Sequence, residues 1–550
     1  MNSYETMIVS IPMTRPATLA IIAFGACLAA EPKKAKPEPR VFTAYPMSGQ
    51  VGAALETTIR GVSLNGAHSL WFESVDLEGR VITVESEPVE AGATKPATPV
   101  DLVRAEIRSR PGTKPGSYPV RLVTAAGVTN PFDIVLGPEP VRIETNDLRI
   151  DAFPAAINGR IAQKGEVDRY RFRVEAGEEM TLEVTSGHAA FDPSIAILEP
   201  SGSWFDSARL NRIAFNDEPL YFPGLSKNAI LTFRFKHAGE YLAQVESFGG
   251  QGGPDYVYRL RASRGAAPAP SLRPDGKGWD ERSFVRALRE WPRTLSSRGN
   301  GSAEEKPIAV AEGTIAKPAQ VDETTFRIEK PAELALEVET PKASMPLFNP
   351  VVRILDSQGR EVVTNVYTKR NNCGFYMMKM IQAKTTFSIR AEGEYRMEVR
   401  DITTDRADAG FAYRVILRPQ IPHVGKVSLA EDRLNLARGA AKPLNVTIDR
   451  EEEFAGLLAV TVEDLPPGVS VLPASEREVE APPVMNGGRL ERYIPKTQKT
   501  VLLVSAADGA PAMRTPQWAK VIVRPIRDGK IGDVVVTERV PVMVIEGEGR

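Results

Sequence analysis

The 550-residue chain predicts an all-β protein of tandem β-sandwiches, with one short linker helix between the second and third. Three observations predict it. A long segment occurs twice: Val167-Asp168-Arg169-Tyr170-Arg171-Phe172-Arg173-Val174 is echoed at a constant offset by Val321-Asp322-Glu323-Thr324-Thr325-Phe326-Arg327-Ile328. At that offset Ile157-Asn158-Gly159 meets Ala311-Glu312-Gly313, and Gly239-Glu240-Tyr241 meets Gly393-Glu394-Tyr395. A repeat of this length is a whole domain rather than a solenoid unit. Apolar and polar residues also alternate along short runs, as in Tyr170, Phe172 and Val174 against Arg169, Arg171 and Arg173, which marks strands with one buried face. Finally, 44 Pro and 43 Gly are spread along the chain, which suits short strands joined by many turns.

Composition sets the outer limits. The chain is too long for one core, so about three to five domains are expected. With 69 basic against 70 acidic residues and no sustained basic block, nucleic-acid binding has no electrostatic footprint. Residues 1–30 read as a signal peptide: Arg15 supplies a positive start, and the run from Ala17 to Ala30 is apolar and ends in small residues. That run is shorter than the ~20 residues a spanning helix needs. Met13 is a candidate start, and cleavage is expected near Ala29 or Ala30. Lipidation at Cys27 is the alternative, though Phe24 stands where a leucine usually precedes a lipidated cysteine. With the signal removed, Cys373 is the remaining cysteine and no intrachain disulfide is expected. No second apolar run reaches membrane length, so the mature chain is expected to lack a transmembrane segment.

Residues 31–40 form a linker and 41–138 the first module. There Thr57-Thr58-Ile59-Arg60-Gly61 and Val103-Arg104-Ala105-Glu106-Ile107-Arg108 have strand periodicity, and the run from Gly116 to Asn130 reads as a hairpin turning at Gly127. This module resembles immunoglobulin-like domains of the IPT/TIG kind. Residues 139–264 and 307–420 are the two repeat copies. Their segments NGRIAQKGEVDRYRFRVEAGEEMTLEV, FDPSIAILEPSG and HAGEYLAQV, with EGTIAKPAQVDETTFRIEKPAELALEV, FNPVVRILDSQG and EGEYRMEV, resemble the bacterial pre-peptidase C-terminal (PPC) domain. The resemblance implies a jelly-roll-like sandwich for each copy. Residues 265–306 are a linker carrying the helix: Asp280 caps it, Phe284, Leu288 and Trp291 form one stripe, and Pro292 ends it. That stripe suits packing on a sheet or docking of a partner. Residues 421–550, with the turn Leu465-Pro466-Pro467-Gly468-Val469, are similar to the immunoglobulin-like domains that end many secreted bacterial proteins.

Catalytic motifs are missing from the sequence. The four histidines His68, His188, His237 and His423 are scattered, and there is no HExxH, GxSxG or phosphate-binding glycine loop. Cys373 with Met377, Met378 and Met380 could suit Cu(I), but equally reads as a buried cysteine among core methionines. Calcium is the better candidate, since it takes six to eight hard oxygens. The PPC resemblance implies that Glu144-Thr145-Asn146-Asp147 corresponds to the calcium-binding lead-in of collagenase PPC domains, and Glu166 and Asp168 to the other acidic region. Arg142 departs from that pattern where a second glutamate often stands. The same residues also suit an Asx turn at Asn146-Asp147 and a strand start at Asp168. The second copy has Asn349 in place of Asp192, no counterpart of Asn216-Asp217-Glu218, and little of the acid.

These readings predict an exported, non-catalytic binding or scaffolding protein, secreted, periplasmic or at the cell surface. It needs no cofactor other than candidate Ca²⁺, and its expected partner is an extracellular or envelope protein or polysaccharide. Trp204, Phe205, Tyr221 and Phe222 are candidate contact aromatics, or core. The alternative is a secreted hydrolase with a site assembled between domains.

Overall fold

The computed structural model describes residues 37–87, 99–145, 148–201, 209–217, 228–265, 307–339, 348–370, 377–382, 384–402, 407, 411–479, 485–486, 489–490, 496–527, 529–534 and 536–546. The chain divides into two compact units, Met1–Pro37 and Glu38–Arg550, and every described strand lies in the second. The signal segment, the helix at 280–291, Cys373, Glu218 and the four candidate aromatics fall outside the described residues. Among the described residues the chain is all strand and turn, with no helix.

The main strands fall into four pairs of sheets, each pair enclosing its own apolar cluster. In the first, Arg40–Tyr45, Ala54–Val62, Val100–Ser109 and Leu77–Ser86 face Ser48–Gln50, Phe132–Gly137, Gly116–Thr124 and Ser69–Phe72. Ile59, Val103, Ile107, Leu122 and Ile134 are buried between them. The short strand Gly127–Val128 folds back on Gly116–Thr124, closing the hairpin expected there.

In the second pair, Val141–Ile143, Ala155–Arg160, Val257–Arg264, Glu179–Ser186 and Ala229–Arg234 form one sheet. Arg149–Ile150, Val167–Val174, Gly239–Ser247, Pro193–Ser201 and Arg209–Asn216 form the other. The alternation of Val167–Val174 sends Tyr170, Phe172 and Val174 into the core and leaves Arg169, Arg171 and Arg173 exposed. Full burial of one such apolar side chain contributes about 1.5–3 kcal/mol.

The third pair repeats the second. Ala309–Thr314, Ala412–Pro419, Ala332–Glu339 and Lys384–Ile389 face Asp322–Ile328, Gly393–Asp401, Pro350–Leu355 and Glu361–Thr364. Register is kept as well: Phe172 opposes Tyr241, and Phe326 opposes Tyr395. The fourth pair sets His423–Leu429, Ala441–Glu451, Lys496–Ala506 and Val469–Val479 against Leu434–Ala437, Val536–Ile545, Gln517–Arg527 and Leu457–Glu463.

The repeat pattern suggests a string of modules, but neighbouring sandwiches are joined by buried polar groups. Asn158, fully buried in the second sandwich, accepts the Met47 and Ser48 N–H groups of the first through Oδ1 at 3.1 and 3.0 Å, and its Nδ2 donates to the Ser48 carbonyl at 3.0 Å. Arg60 of the first sandwich pairs with Asp255 of the second at 2.6 Å. In the fourth, the Asn435 side chain acts as an added strand for the first: Oδ1 accepts the Val128 N–H and Nδ2 donates to the Val128 carbonyl, both at 2.9 Å. The neighbouring Gly127 has φ +121°, and a Cβ there would fall 2.2 Å from Asn435 Cγ, so the approach requires glycine. Around it Trp71 and Trp518 meet with ring centroids 4.8 Å apart, beside Val123, Val128 and Met543.

The third and fourth sandwiches share a buried ion cluster. Arg418 donates to both carboxylate oxygens of Glu452 at 2.8 Å and to Glu337 at 2.5 Å, while Lys384 approaches Glu452 at 2.5 Å. Burial alone would raise the Glu452 pKa, but Arg418 and Lys384 outweigh it and hold the group down at about 2. At Glu337 burial prevails over the same arginine, and the pKa is raised.

Candidate functional site

The acidic residues of the second sandwich gather at the end of strand Val167–Val174. Asp168 shares the inward face of that strand with Tyr170, two residues on, and so points into the mouth of the core. Across the sandwich, Tyr258 is fully buried on strand Val257–Arg264 and pairs with Gly159. Its hydroxyl donates to Asp168 Oδ2 at 2.5 Å, and the Tyr170 hydroxyl lies 2.5 Å from the same phenol oxygen. A Cβ on residue 159 would sit 2.2 Å from Tyr258 Cζ and 2.7 Å from Glu144 Oε2, so Gly159 leaves the room the cluster occupies.

Glu144 follows strand Val141–Ile143. Its N–H donates to the Asn158 carbonyl at 3.0 Å. Both of its carboxylate oxygens accept the Arg160 N–H at 2.9 Å, and the Tyr170 hydroxyl lies 3.5 Å from Oε2. Burial pushes the Glu144 pKa up; the Arg160 amide opposes this, and the nearby Asp168 charge adds to it. Asp168 is likewise pushed up by burial, with the Tyr258 hydroxyl pulling it down and Glu166 pushing it up. Two carboxyls close together in a partly dry site cannot both ionise cheaply. Tyr45 of the first sandwich closes the site on one side, with its ring 4.3 Å from the Arg160 guanidinium and its pKa pushed up to about 12, first by burial and then by Glu144.

Of the five residues expected to ligate calcium, Glu144 and Asp168 come together. Glu166 lies in the preceding turn with Oε2 on the Gln163 N–H at 2.7 Å, and only its charge reaches the pair. Asn146 and Asp147 are outside the described residues. Among the described residues, no three His, Cys, Asp or Glu side chains stand close enough to hold one metal ion. The described donors are hard oxygens of the right kind, but Glu144 and Asp168 alone fall short of the six to eight that calcium takes.

Tyr258, Tyr170 and Gly159 were missed as members of the site. The signal was present in the repeat: Gly159, Asp168 and Tyr258 recur as Gly313, Asp322 and Tyr413. The Tyr413 hydroxyl donates to Asp322 Oδ2 at 2.7 Å. The second copy therefore keeps the acid at the centre, at the position where the repeat aligns Asp322 with Asp168. Its surroundings differ: Gln320 takes the place of Glu166 and donates to Asp322 Oδ1 at 2.8 Å, and Thr324 takes the place of Tyr170. A neutral amide satisfies the aspartate where the first copy adds negative charge. The histidines remain apart; His68 Nδ1 lies 3.2 Å from the adjacent Ser69 hydroxyl in an exposed setting, and His423 is buried with Nδ1 2.6 Å from the Ile421 carbonyl.

No protein-family model matches the chain, and none of the curated proteins does. Among solved structures, the pre-peptidase C-terminal domain of the collagenase from Bacillus anthracis matches at 16% identity, covering 23% of this chain and 98% of that one, with a TM-score of 0.16. CorA, a surface-associated copper-binding protein of Methylomicrobium album BG8, matches at 12% identity over 23% of this chain and 100% of its own, with a TM-score of 0.18. The Bacteroides ovatus protein SGBP-B of the mixed-linkage glucan utilization locus, solved with a mixed-linkage heptasaccharide, matches at 9% identity over 69% and 74% of the two chains, with a TM-score of 0.14. Likenesses of this strength carry no argument about function. No helix among the described residues is long and apolar enough to cross a membrane.

Proposed function

We propose that this chain is an exported, non-catalytic binding or scaffolding protein of the bacterial periplasm or cell surface, presenting β-sandwich faces to a protein or polysaccharide. The observation that supports it most is the set of buried polar joints. Asn158, Asn435 and the Arg418–Glu452 pair are satisfied across junctions between sandwiches rather than within one. An unmade buried hydrogen bond costs about 1–3 kcal/mol, so each joint resists opening. Faces held in fixed relation are what a scaffold or multipoint binder requires. Pull-down from the native cell envelope with the immobilised full chain, followed by a glycan array, tests the reading. A specific, saturable partner is expected; robust turnover in a peptidase or glycosidase screen would contradict it.

Within this reading calcium is the ion proposed for the first repeat, with Glu144, Asn146, Asp147, Glu166 and Asp168 as its candidate ligands. The ion would favour the ionised form of both carboxyls, against the burial that raises their pKa values, and would fasten the lead-in to the sandwich beside Tyr45. At 100-fold excess over its dissociation constant, an ion bound to the folded state adds about 2.7 kcal/mol. Melting in calcium against chelator is expected to show an upward shift that Asp168→Asn abolishes and Asp322→Asn leaves in place. Identical melting with and without calcium contradicts it.

The second reading, a hydrolase with an inter-domain site, is favoured by one feature: a carboxyl pair with raised pKa values beside Tyr45 of another sandwich. Against it, oxygens of both carboxyls are already engaged, by the Arg160 N–H and the Tyr258 hydroxyl. Activity lost on Asp168→Asn in the same screen would support it.

A further inference from the structure

The outer face of the second sandwich carries a row of arginines that the third sandwich lacks. Strand Val167–Val174 exposes Arg169, Arg171 and Arg173, and alternate residues on a strand are about 6.8 Å apart. Arg149, exposed on the neighbouring strand, is in parallel register with Arg171. Glu240 serves both Arg149 and Arg171, and Asp151 also pairs with Arg149 at 3.2 Å. Arg169 is held by the neutral amide of Gln244 at 3.0 Å, and Arg173 stands exposed at the end of the row.

The repeat provides an internal comparison. At six facing positions the second sandwich sets Arg169, Arg171 and Arg173 opposite Gln244, Leu242 and Glu240, three arginines against one glutamate. The matching positions of the third set Glu323, Thr325 and Arg327 opposite Glu398, Arg396 and Glu394, two arginines against three glutamates. There the charges also pair internally, with Arg396 on both Glu323 and Glu398. The scaffold is the same in both copies, so the arginine excess is not something the fold demands.

From this contrast we infer that the outer face of the second sandwich binds an acidic polysaccharide, whose carboxylate or sulfate groups lie along the arginine row. This deepens the binding reading above and rests on it. Planar guanidinium forks match carboxylate and sulfate-like oxygens in bidentate geometry. Gln244, on the facing strand, adds a side-chain amide of the kind that sugar hydroxyls bond. Nucleic acid fits less well. The facing strand presents Glu240, Leu242 and Gln244 with no aromatic stacking platform, and the chain as a whole is balanced in charge. A lipid surface fits less well too, because the apolar residue in this row, Leu242, is 8% exposed and has little to insert.

The test uses the full chain, titrated with polygalacturonate, dextran sulfate and unsulfated dextran at low and high salt. Binding of the two acidic polymers, weakened by salt, with none to dextran, is expected. Replacing the row by the residues of the other copy, Arg169→Glu with Arg171→Thr, is expected to weaken that binding at least tenfold. The reverse graft, Glu323→Arg with Thr325→Arg, is expected to strengthen it, which a merely misfolded variant could not do. Equal binding of dextran, or binding untouched by the first graft, overturns the inference. Duplex DNA or anionic vesicles bound as tightly as the acidic polysaccharides overturn it as well, since charge alone would then suffice. If no polysaccharide binds while an envelope protein is still captured specifically, this surface falls and the binding function stands; if neither binds, both fall.

Discussion

At Gly159 the backbone passes directly beneath the Tyr258 ring, and the smallest side-chain atom added there would lie inside the van der Waals radius of the ring carbon. Gly159→Ala therefore forces Tyr258 off its bond to Asp168 or displaces the strand. Such overpacking costs about 1–3 kcal/mol, to be read as a lower midpoint of thermal unfolding for the second sandwich. Glu452 gives a pH-dependent counterpart. Its pKa is lowered from 4.5 to about 2, so it binds fewer protons folded than unfolded. The stability it contributes is present above its unfolded value and is lost as the pH falls from about 4.5 towards 2. Urea unfolding across that range is expected to show the loss in the unaltered chain and a flatter profile in Glu452→Gln. The variant should also be about 3–5 kcal/mol less stable at neutral pH, because Arg418 is left buried without one of its carboxylates.

At the scale of the element, much was legible beforehand. The period of two in Val167–Val174 names both faces of that strand, and the internal repeat carries the same pattern to Asp322–Ile328, with Phe172 and Phe326 facing matched tyrosines. The turn at Gly127 also follows from local chemistry, whereas Glu144 was singled out only through the PPC resemblance. The tyrosines of the carboxyl cluster followed from neither. Tyr258 looks like an ordinary core aromatic in its strand, and its hydroxyl gains a role only from Asp168, which the topology brings across the sandwich from another strand. Recurrence of Gly, Asp and Tyr together in both copies was the available signal, stronger than any of the three residues alone. Arg169, Arg171 and Arg173 were legible as an exposed face, yet their imbalance of charge depends on which residues the next strand sets opposite them.

At the scale of the whole molecule, the joints were illegible from sequence for a physical reason. Asn435 is one polar residue in a four-residue strand, and the backbone it satisfies lies 307 residues away. Neither segment carries a periodicity or motif that records the other. The consequence is large, since the first and fourth sandwiches meet through Asn435, the Trp71–Trp518 contact and the apolar cluster about Val128. The central claim is that these joints make the chain a stiff scaffold instead of a flexible string. Pulsed electron–electron resonance between spin labels at Val75→Cys in the first sandwich and Ile531→Cys in the fourth, 79% and 64% exposed and placed in a chain with Cys27 and Cys373 replaced, measures this directly. A single narrow distance distribution, broadened by Asn435→Ala, is the predicted result; a broad distribution in the chain that retains Asn435 would contradict the account.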